Sequence, residues 1–251
     1  MNKVGRYKFK AESYLCDFRG KATAALLGTF ALRAATLHAD ERGFGYEQVS
    51  KDNIAWVLSR LAMEIYDYPF HDRTLTIETW IESISNISTQ RCFHFIDEKG
   101  KTSGYARTIW AAINTTTRRP VDILGWRPLL SDFIEGDKGF PLDKNIKIPA
   151  IKESQNPTSC YAIRYSDIDI NKHVNSIKYM EHTINLFDIS MFKSQRINKI
   201  EMAYIVESSF DDTLQLYKQE ISQSEYLIEI KKDSTSICRS RIHWEAETIQ
   251  E

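Results

Sequence analysis

The feature that most limits how this chain can fold is an internal repetition. A helix followed by several alternating strands occurs twice, once on each side of a proline-rich stretch. In residues 22–38, Leu26, Leu27, Phe30, Ala31, Ala34 and Leu37 recur at helical spacing, and Gly43-Phe44-Gly45 stops that helix. A second stretch runs from Asn53 to Met63, after which Thr74-Leu75-Thr76-Ile77-Glu78-Thr79-Trp80 alternates in the manner of a half-buried strand. Arg91 to Ile96 and Gly104 to Ile113 read as two strands around the turn Asp97-Glu98-Lys99-Gly100. Beyond the interruption, Cys160 to Tyr165 reads as a strand, and Ile177, Met180, Ile184 and Phe187 mark one helix face. Thr213 to Tyr217 alternates, and Tyr226 to Ile230 with Ile237 to Trp244 predicts a hairpin around Lys232-Asp233-Ser234.

The two copies can be laid over one another. Asp72-Arg73-Thr74-Leu75-Thr76-Ile77 falls on Asp211-Asp212-Thr213-Leu214-Gln215-Leu216, and Met63 falls on Met202. Phe93 to Asp97 is set against Leu227 to Lys231, each hairpin ending at a tryptophan, Trp110 or Trp244. A chain of 251 residues is comfortable for two domains of roughly 100 to 150 residues each. Five of the six prolines lie between Thr115 and Ser159, a stretch of broken periodicity that reads as a crossover over a surface. The expected organisation is therefore 1–115, a linker 116–158, and 159–251. Each half is expected to be one helix on a curved antiparallel sheet, an α+β architecture.

Charge narrows the function classes. With 33 basic against 34 acidic residues the formal net charge is −1, which gives no bulk reason to expect nucleic acid or a membrane surface as partner. The four cysteines, Cys16, Cys92, Cys160 and Cys238, form no CxxC pair and suggest neither a disulfide framework nor a zinc site. No apolar segment follows the basic start Met1-Asn2-Lys3, and Ala22 to Leu32 is too short to span a bilayer, so a cytoplasmic location is expected.

The most informative segment is Asp167-Ile168-Asp169-Ile170-Asn171-Lys172-His173-Val174-Asn175. It sets Asp169, Asn171 and His173 at alternate positions just before a helix, and alternation in an extended stretch would point all three the same way. A carboxylate, an amide and an imidazole that converge can orient a water, accept its proton and polarise a carbonyl. Asp and Asn before a helix also serve as caps, and Asn175 or Ser176 could cap this one. Capping accounts for Asn175 but not for the three polar residues that precede it.

This string resembles the DxDxNxHVN signature of the acyl-acyl carrier protein thioesterases of plant plastids and their bacterial relatives. Gly43-Phe44-Gly45, Trp56-Val57 with Arg60, Tyr68-Pro69, Thr79-Trp80, and Trp110 through Asn114-Thr115-Thr116-Thr117-Arg118-Arg119-Pro120 resemble that family's first half in order and spacing. The resemblance implies two tandem hotdog domains, a water-dependent thioester hydrolysis without cofactor or metal, and acyl carrier protein as partner. It also implies a fourth catalytic residue on a following strand, which Met202-Ala203-Tyr204-Ile205-Val206-Glu207-Ser208 places at Glu207. Many plant members carry cysteine at the next position, where this chain has Ser208. A serine without a dedicated base is a poor nucleophile, so that difference favours activated water.

On this reading Glu207, with His173, holds and deprotonates the water, and Asn171 orients it or polarises the thioester carbonyl. Asp169 accepts the imidazole N–H or supports the helix start. A glutamate in open water is a weak base, so part-burial of Glu207 is expected. The family resemblance puts the acyl chain in the first half, with Leu27, Phe30, Ala34 and Trp56 as candidate lining residues, each of which could equally be core. Arg118, Arg119 and Arg127 form a cationic cluster suited to an acidic carrier protein. A homodimer is compatible with hotdog edges. The rival readings are a hotdog enzyme acting on acyl-coenzyme A, either a thioesterase or a hydratase, and a non-catalytic acyl-thioester sensor. Hydratases use a different local pattern, and a sensor would commonly carry a basic DNA-binding extension, which this sequence lacks.

Overall fold

A computed structural model describes residues 2–136, 139–151 and 156–247, and the chain divides into two compact units, residues 1–144 and 145–251. In the first unit, strands β1 (Gly5–Lys10), β2 (Ile54–Ile65), β3 (Thr74–Ile84), β4 (Ser88–Ile96) and β5 (Thr102–Asn114) form an antiparallel sheet in the order β1-β3-β4-β5-β2. Helix α1 (Ala24–Asp40) packs on β1 and β3, burying Leu27, Phe30, Ala31 and Ala34. Thr23 starts that helix, its Oγ1 accepting the Leu26 N–H at 3.1 Å. At its end Gly43 adopts φ +73 where the chain turns into α2 (Tyr46–Ser50).

The second unit repeats this plan. After the short helix α3 (Ile123–Trp126), which belongs to the first unit, come β6 (Ser159–Ala162), α4 (Ser176–Ile184) and α5 (Ile189–Ser194). Strands β7 (Gln195–Tyr204), β8 (Thr213–Ser222), β9 (Glu225–Lys232) and β10 (Thr235–Ala246) follow. The sheet order is β7-β10-β9-β8-β6, the first unit's order read with each strand replaced by its counterpart. Register supports the overlay: Lys10 faces Thr74 as Ala162 faces Thr213, and Met63 faces Ala106 as Met202 faces Ser240. The hairpin alignment needs one correction. Phe93 faces Ala106 while Ile228, not Leu227, faces Ser240, because the Asp97–Lys101 turn is one residue longer than its counterpart. A slip of one residue in a strand exchanges its two faces, so the difference matters.

By its sequence the segment from 116 is expected to be an unpacked crossover. Its first part instead lies on the first unit, with α3 and a 3-10 turn (Pro128–Phe133) placing Ile123 and Leu130 in a buried cluster with Phe44, Val49, Ile54 and Ile81. Phe140 then covers the sheet, its ring 5.6 Å from Trp80, 5.2 Å from Tyr105 and 5.0 Å from the Arg107 guanidinium carbon. Within the second unit, Ile151 donates its N–H to buried Glu229. Pro and Gly broke the period, but isolated apolar residues were enough to anchor the strap.

Under Phe140, Arg107 is fully buried and forms two hydrogen bonds to the buried Glu82 carboxylate. A buried charge left alone costs far more than the pair contributes. Arg107→Met should destabilise the protein by about 3–5 kcal/mol, and Arg107→Met/Glu82→Leu should recover most of that loss. Chemical denaturation of the two variants checks it; equal stability would show that the pair is not desolvated.

Candidate active site

Residues 169–173 of the signature form a closed loop. The segment between α4 and the preceding 3-10 turn (Tyr165–Asp167) begins at a bridge between Ile168 and Val174. Inside it Asp169 donates its N–H to the His173 carbonyl at 2.9 Å, and Lys172 donates to the Asp169 carbonyl at 2.9 Å. Lys172 takes φ +66 to close the turn. The Asp169 carboxylate accepts the Asn171 N–H at 2.7 Å, an Asx turn. The stretch is therefore not extended, and what gathers these residues is a tight loop rather than strand alternation. Asn175 caps α4, its Oδ1 accepting the Ile177 N–H at 2.8 Å.

Glu207 lies three residues past the end of β7, in the segment leading to β8 and not on the strand itself. Ile205 and Val206 donate to the Ile237 carbonyl, and the Ser208 carbonyl accepts from Val174 N–H at 2.9 Å. That last bond draws the segment against the loop and leaves Glu207 Oε2 3.4 Å from His173 Nε2. Both side chains are about one-third exposed, at 31% each, so they meet at the surface rather than in the core. Asn171 is exposed at the loop tip. Asp169 is bonded to the loop backbone, and among the described residues no hydrogen bond joins its carboxylate to the imidazole. Ser208 is buried beside Tyr179, whose phenol burial drives well above its ordinary value, and no hydrogen bond links its hydroxyl to His173 among the described residues.

A second polar group, not assigned from sequence, anchors the base of the loop. Asp167 is buried and its Oδ2 accepts from the Tyr161 hydroxyl at 2.9 Å and from Arg164 N–H at 2.7 Å, while its carbonyl accepts Asn175 N–H. The His182 ring of α4 lies against that of Tyr161, tilted by 40° with centroids 3.9 Å apart, and its Nε2 is 3.8 Å from Asp167 Oδ1. The signal was present, since Asp167 stands in the signature and His182 interrupts the apolar helix face. Among the described residues no group of three or more His, Cys, Asp or Glu side chains could hold a metal ion.

The other candidates separate. Leu27, Phe30 and Ala34 are buried on α1, Phe30 stacking on Phe9 at 5.1 Å. Trp56 is half-buried at the cluster around Phe44 and Ile123, near Trp126, and none of the three α1 residues is a member of that cluster. Arg118 and Arg119 are exposed in the turn after β5, Arg118 at φ +58. Arg127 is held elsewhere: its guanidinium donates to the Gly43 carbonyl, lies over the Trp126 ring and pairs with Asp52. It belongs to the packing around α3 and is not presented with the other two.

Burial holds the His182 imidazole below its ordinary value of 6.5, despite the raising effect of Asp167. The unfolded chain then binds more protons than the folded one just below that value. Stability is full above it and falls as the pH drops through and below it, by up to about 1.4 kcal/mol per pH unit for this group. Melting curves between pH 7.5 and 5 should be flatter for His182→Gln than for the parent; parallel curves would remove His182 from the acid response.

Comparison with known proteins bears on the family. The family model for the acyl-ACP thioesterase N-terminal domain matches residues 2–125, and that for the C-terminal domain matches residues 150–246. An acyl-ACP thioesterase structure from Bacteroides thetaiotaomicron is 41% identical, covers 97% of this chain and 98% of its own, and superposes with a TM-score of 0.90. A 12:0-ACP thioesterase from Umbellularia californica shares the fold at 22% identity, with 98% of this chain and 99% of that one covered and a TM-score of 0.87. The chloroplastic oleoyl-acyl carrier protein thioesterase 1 of Arabidopsis thaliana is 25% identical over 82% of this chain and 61% of its own length. The chain thus spans about three-fifths of the length of the curated plant relatives first matched. With both family models covering most of its length, the tandem hotdog architecture in place and a structural relative at 41% identity, the chain belongs to the acyl-ACP thioesterase family.

Proposed function

We propose that this protein hydrolyses acyl-acyl carrier protein thioesters, releasing a free fatty acid and the carrier thiol, by means of a water held between His173 and Glu207. The approach of His173 Nε2 to Glu207 Oε2, 3.4 Å, carries the reading. Two atoms so spaced leave positions within hydrogen-bond reach of both. A water there is oriented by two acceptors or by one acceptor and one donor, and it can pass its proton to the pair as it attacks the thioester carbon. Asn171 at the loop tip supplies an amide N–H to the carbonyl oxygen as it becomes an oxyanion. Collapse of the tetrahedral intermediate breaks the C–S bond, and the proton taken from water goes to the departing thiolate. Atoms balance without a cofactor. The burial of Ser208 against Tyr179 supports attack by water over a serine nucleophile.

Leu27, Phe30, Ala34 and Trp56 remain our candidates for acyl-chain contact, and Arg118 and Arg119 for docking of the acidic carrier. Four free thiols, Cys16, Cys92, Cys160 and Cys238, favour a reducing compartment such as the cytoplasm.

With acyl carrier substrates and free-thiol release as the readout, His173→Ala and Glu207→Gln should each lower kcat by about 10²–10⁴-fold. Asn171→Ala should lower it by about 10²-fold with KM little changed. Near-parental turnover in all three would end the proposal, and equal preference for acyl-coenzyme A would shift it to the rival substrate class. The Arg118→Glu/Arg119→Glu variant should raise KM for carrier-linked substrate at low salt, with the gap closing as salt rises. A KM that does not move takes this turn out of the docking surface.

A further inference from the structure

The interior between α1 and the sheet of the first unit is apolar at one end and polar at the other. Leu27, Phe30, Ala31 and Ala34 are buried on the helix, and one turn beyond Ala34 on the same face comes His38, also fully buried. The strands beneath change in the same direction. Phe9 pairs with Leu75 at the apolar end, where its ring stacks on Phe30. Gly5 pairs with Thr79 at the other, and a Cβ on Gly5 would meet the His38 ring at 2.6 Å, so that ring sits directly over this backbone. Alternation along β4 puts Arg91 on the face that carries Phe93 and Phe95, all three of them buried. Arg91 Nη1 donates to Thr79 Oγ1 at 3.3 Å. His38, Thr79 and Arg91 thus stand together at the polar end.

Arg91 is unlike the other buried charges. The Arg107 guanidinium has the Glu82 carboxylate, and Glu229 has Arg239 and Lys231. Arg91 is 5% exposed, and among the described residues it has the one hydrogen bond to Thr79 and no carboxylate partner. Burial lowers its pKa to about 10, which leaves it charged at neutral pH. A buried cation with one neutral partner costs the fold stability, which points to a use outside the fold. Its neighbour is as unusual. His38 Nε2 lies 3.0 Å from the Lys3 carbonyl, which can only accept, so the ring proton is on Nε2. Nδ1 is then a bare acceptor, buried and without a hydrogen bond among the described residues. Burial and the Arg91 charge push the imidazole down to about 3, so it stays neutral.

Donors that lack an acceptor, beside an acceptor that lacks a donor, match a hydroxyl group. A carboxylate would satisfy Arg91 but set its lone pairs against Nδ1, a keto oxygen would leave Nδ1 unpaired, and a methyl group would leave both. We infer that the first unit recognises acyl chains that carry a hydroxyl group, whose oxygen accepts from Arg91 and whose O–H is donated to His38 Nδ1. Leu27, Phe30 and Ala34, our candidates for contact with the chain, lead along α1 to this point. The inference rests on the hydrolase reading only for the identity of the molecule that brings the hydroxyl.

Calorimetry on the full chain tests it with lauroyl-pantetheine analogues in which an uncleavable amide replaces the thioester. The set comprises the plain chain and chains with a hydroxyl at successive carbons of the distal half. The best hydroxy analogue should bind about 10–100-fold tighter than the plain one, which leaves a buried charged donor unpaired. A keto analogue at the same carbon should fall between them. Arg91→Met should reverse the order, with the plain chain ahead, and should melt no lower than the parent because it removes an unpaired buried charge. His38→Phe should bring the hydroxy and keto analogues level. A parent that does not distinguish the plain chain from any hydroxy analogue overturns the inference, as does an Arg91→Met variant that keeps the hydroxyl preference. A terminal-carboxyl analogue that outbinds the hydroxy set overturns it too, since the site would then answer to charge alone. An Arg91→Met variant that melts far below the parent would show that the guanidinium serves the fold, with the same consequence. A parent with the predicted affinities that cleaves neither carrier-linked thioester would overturn the hydrolase reading and leave this site standing; brisk cleavage with flat affinities would do the reverse.

Discussion

The site depends on one main-chain contact, the hydrogen bond from Val174 N–H to the Ser208 carbonyl. Both residues are buried, at 6% and 1% exposure, so the bond is made away from competing water and losing it would strand two polar groups. The His173–Glu207 approach could not hold the two segments together itself, because a part-exposed ion pair contributes at most about 1 kcal/mol. Causation therefore runs from backbone to side chain. The loop closes on Asp169, the post-β7 segment is fixed at Ile237 on one side and Val174 on the other, and the two functional groups face each other as a consequence. Sites placed by paired backbone keep their geometry without relying on the attraction between the groups they present.

Duplication explains how such a device could arise without new architecture. Both units use the same sheet order, the same capped helix and the same closed loop before it. The functional half differs through side chains set on that common frame. Tyr179 occupies the position of Leu27, His182 that of Phe30, and Ser208 that of Pro69, so a face that is apolar in the first unit becomes polar in the second. Buried polar groups need partners, and Asp167 takes its own from the Tyr161 hydroxyl and the Arg164 N–H at the base of the loop. The first unit, relieved of that requirement, can keep an apolar helix face. This division of labour suits a pocket for an acyl chain, the role proposed for it.

Much of this was legible in the order of residues, for physical reasons that differ by element. The helix expected at 22–38 is observed at Ala24–Asp40, because its apolar face is dense and Gly43 ends it. Thr74 to Trp80 and the two hairpins are strands, since alternation over a half-buried face leaves a strong period. Strand β1 leaves only a weak trace in the sequence although Tyr7 and Phe9 alternate, because a short edge strand buries too little to stand out. Residues 116–144 looked like a free crossover because Pro and Gly erase periodicity, yet scattered residues such as Ile123, Leu130 and Phe140 each find a pocket. The candidate site was recognisable as a signature, but its geometry was not. Asp169, Asn171 and His173 suggested an extended strand, whereas the left-handed Lys172 and the Asx turn make a loop, and periodicity carries no sign of either. The nearness of Glu207 to His173 depends on a pairing between distant segments and could come only from the resemblance.

The central claim is that water, not a protein side chain, attacks the thioester. Single-turnover hydrolysis of an acyl carrier substrate in ¹⁸O-enriched water, with excess enzyme and mass analysis of both product and protein, tests it directly. The account predicts label in the released fatty acid and none in the peptide that contains Glu207 and Ser208. Label in the Glu207 carboxylate, or an acyl adduct on that peptide, would contradict it.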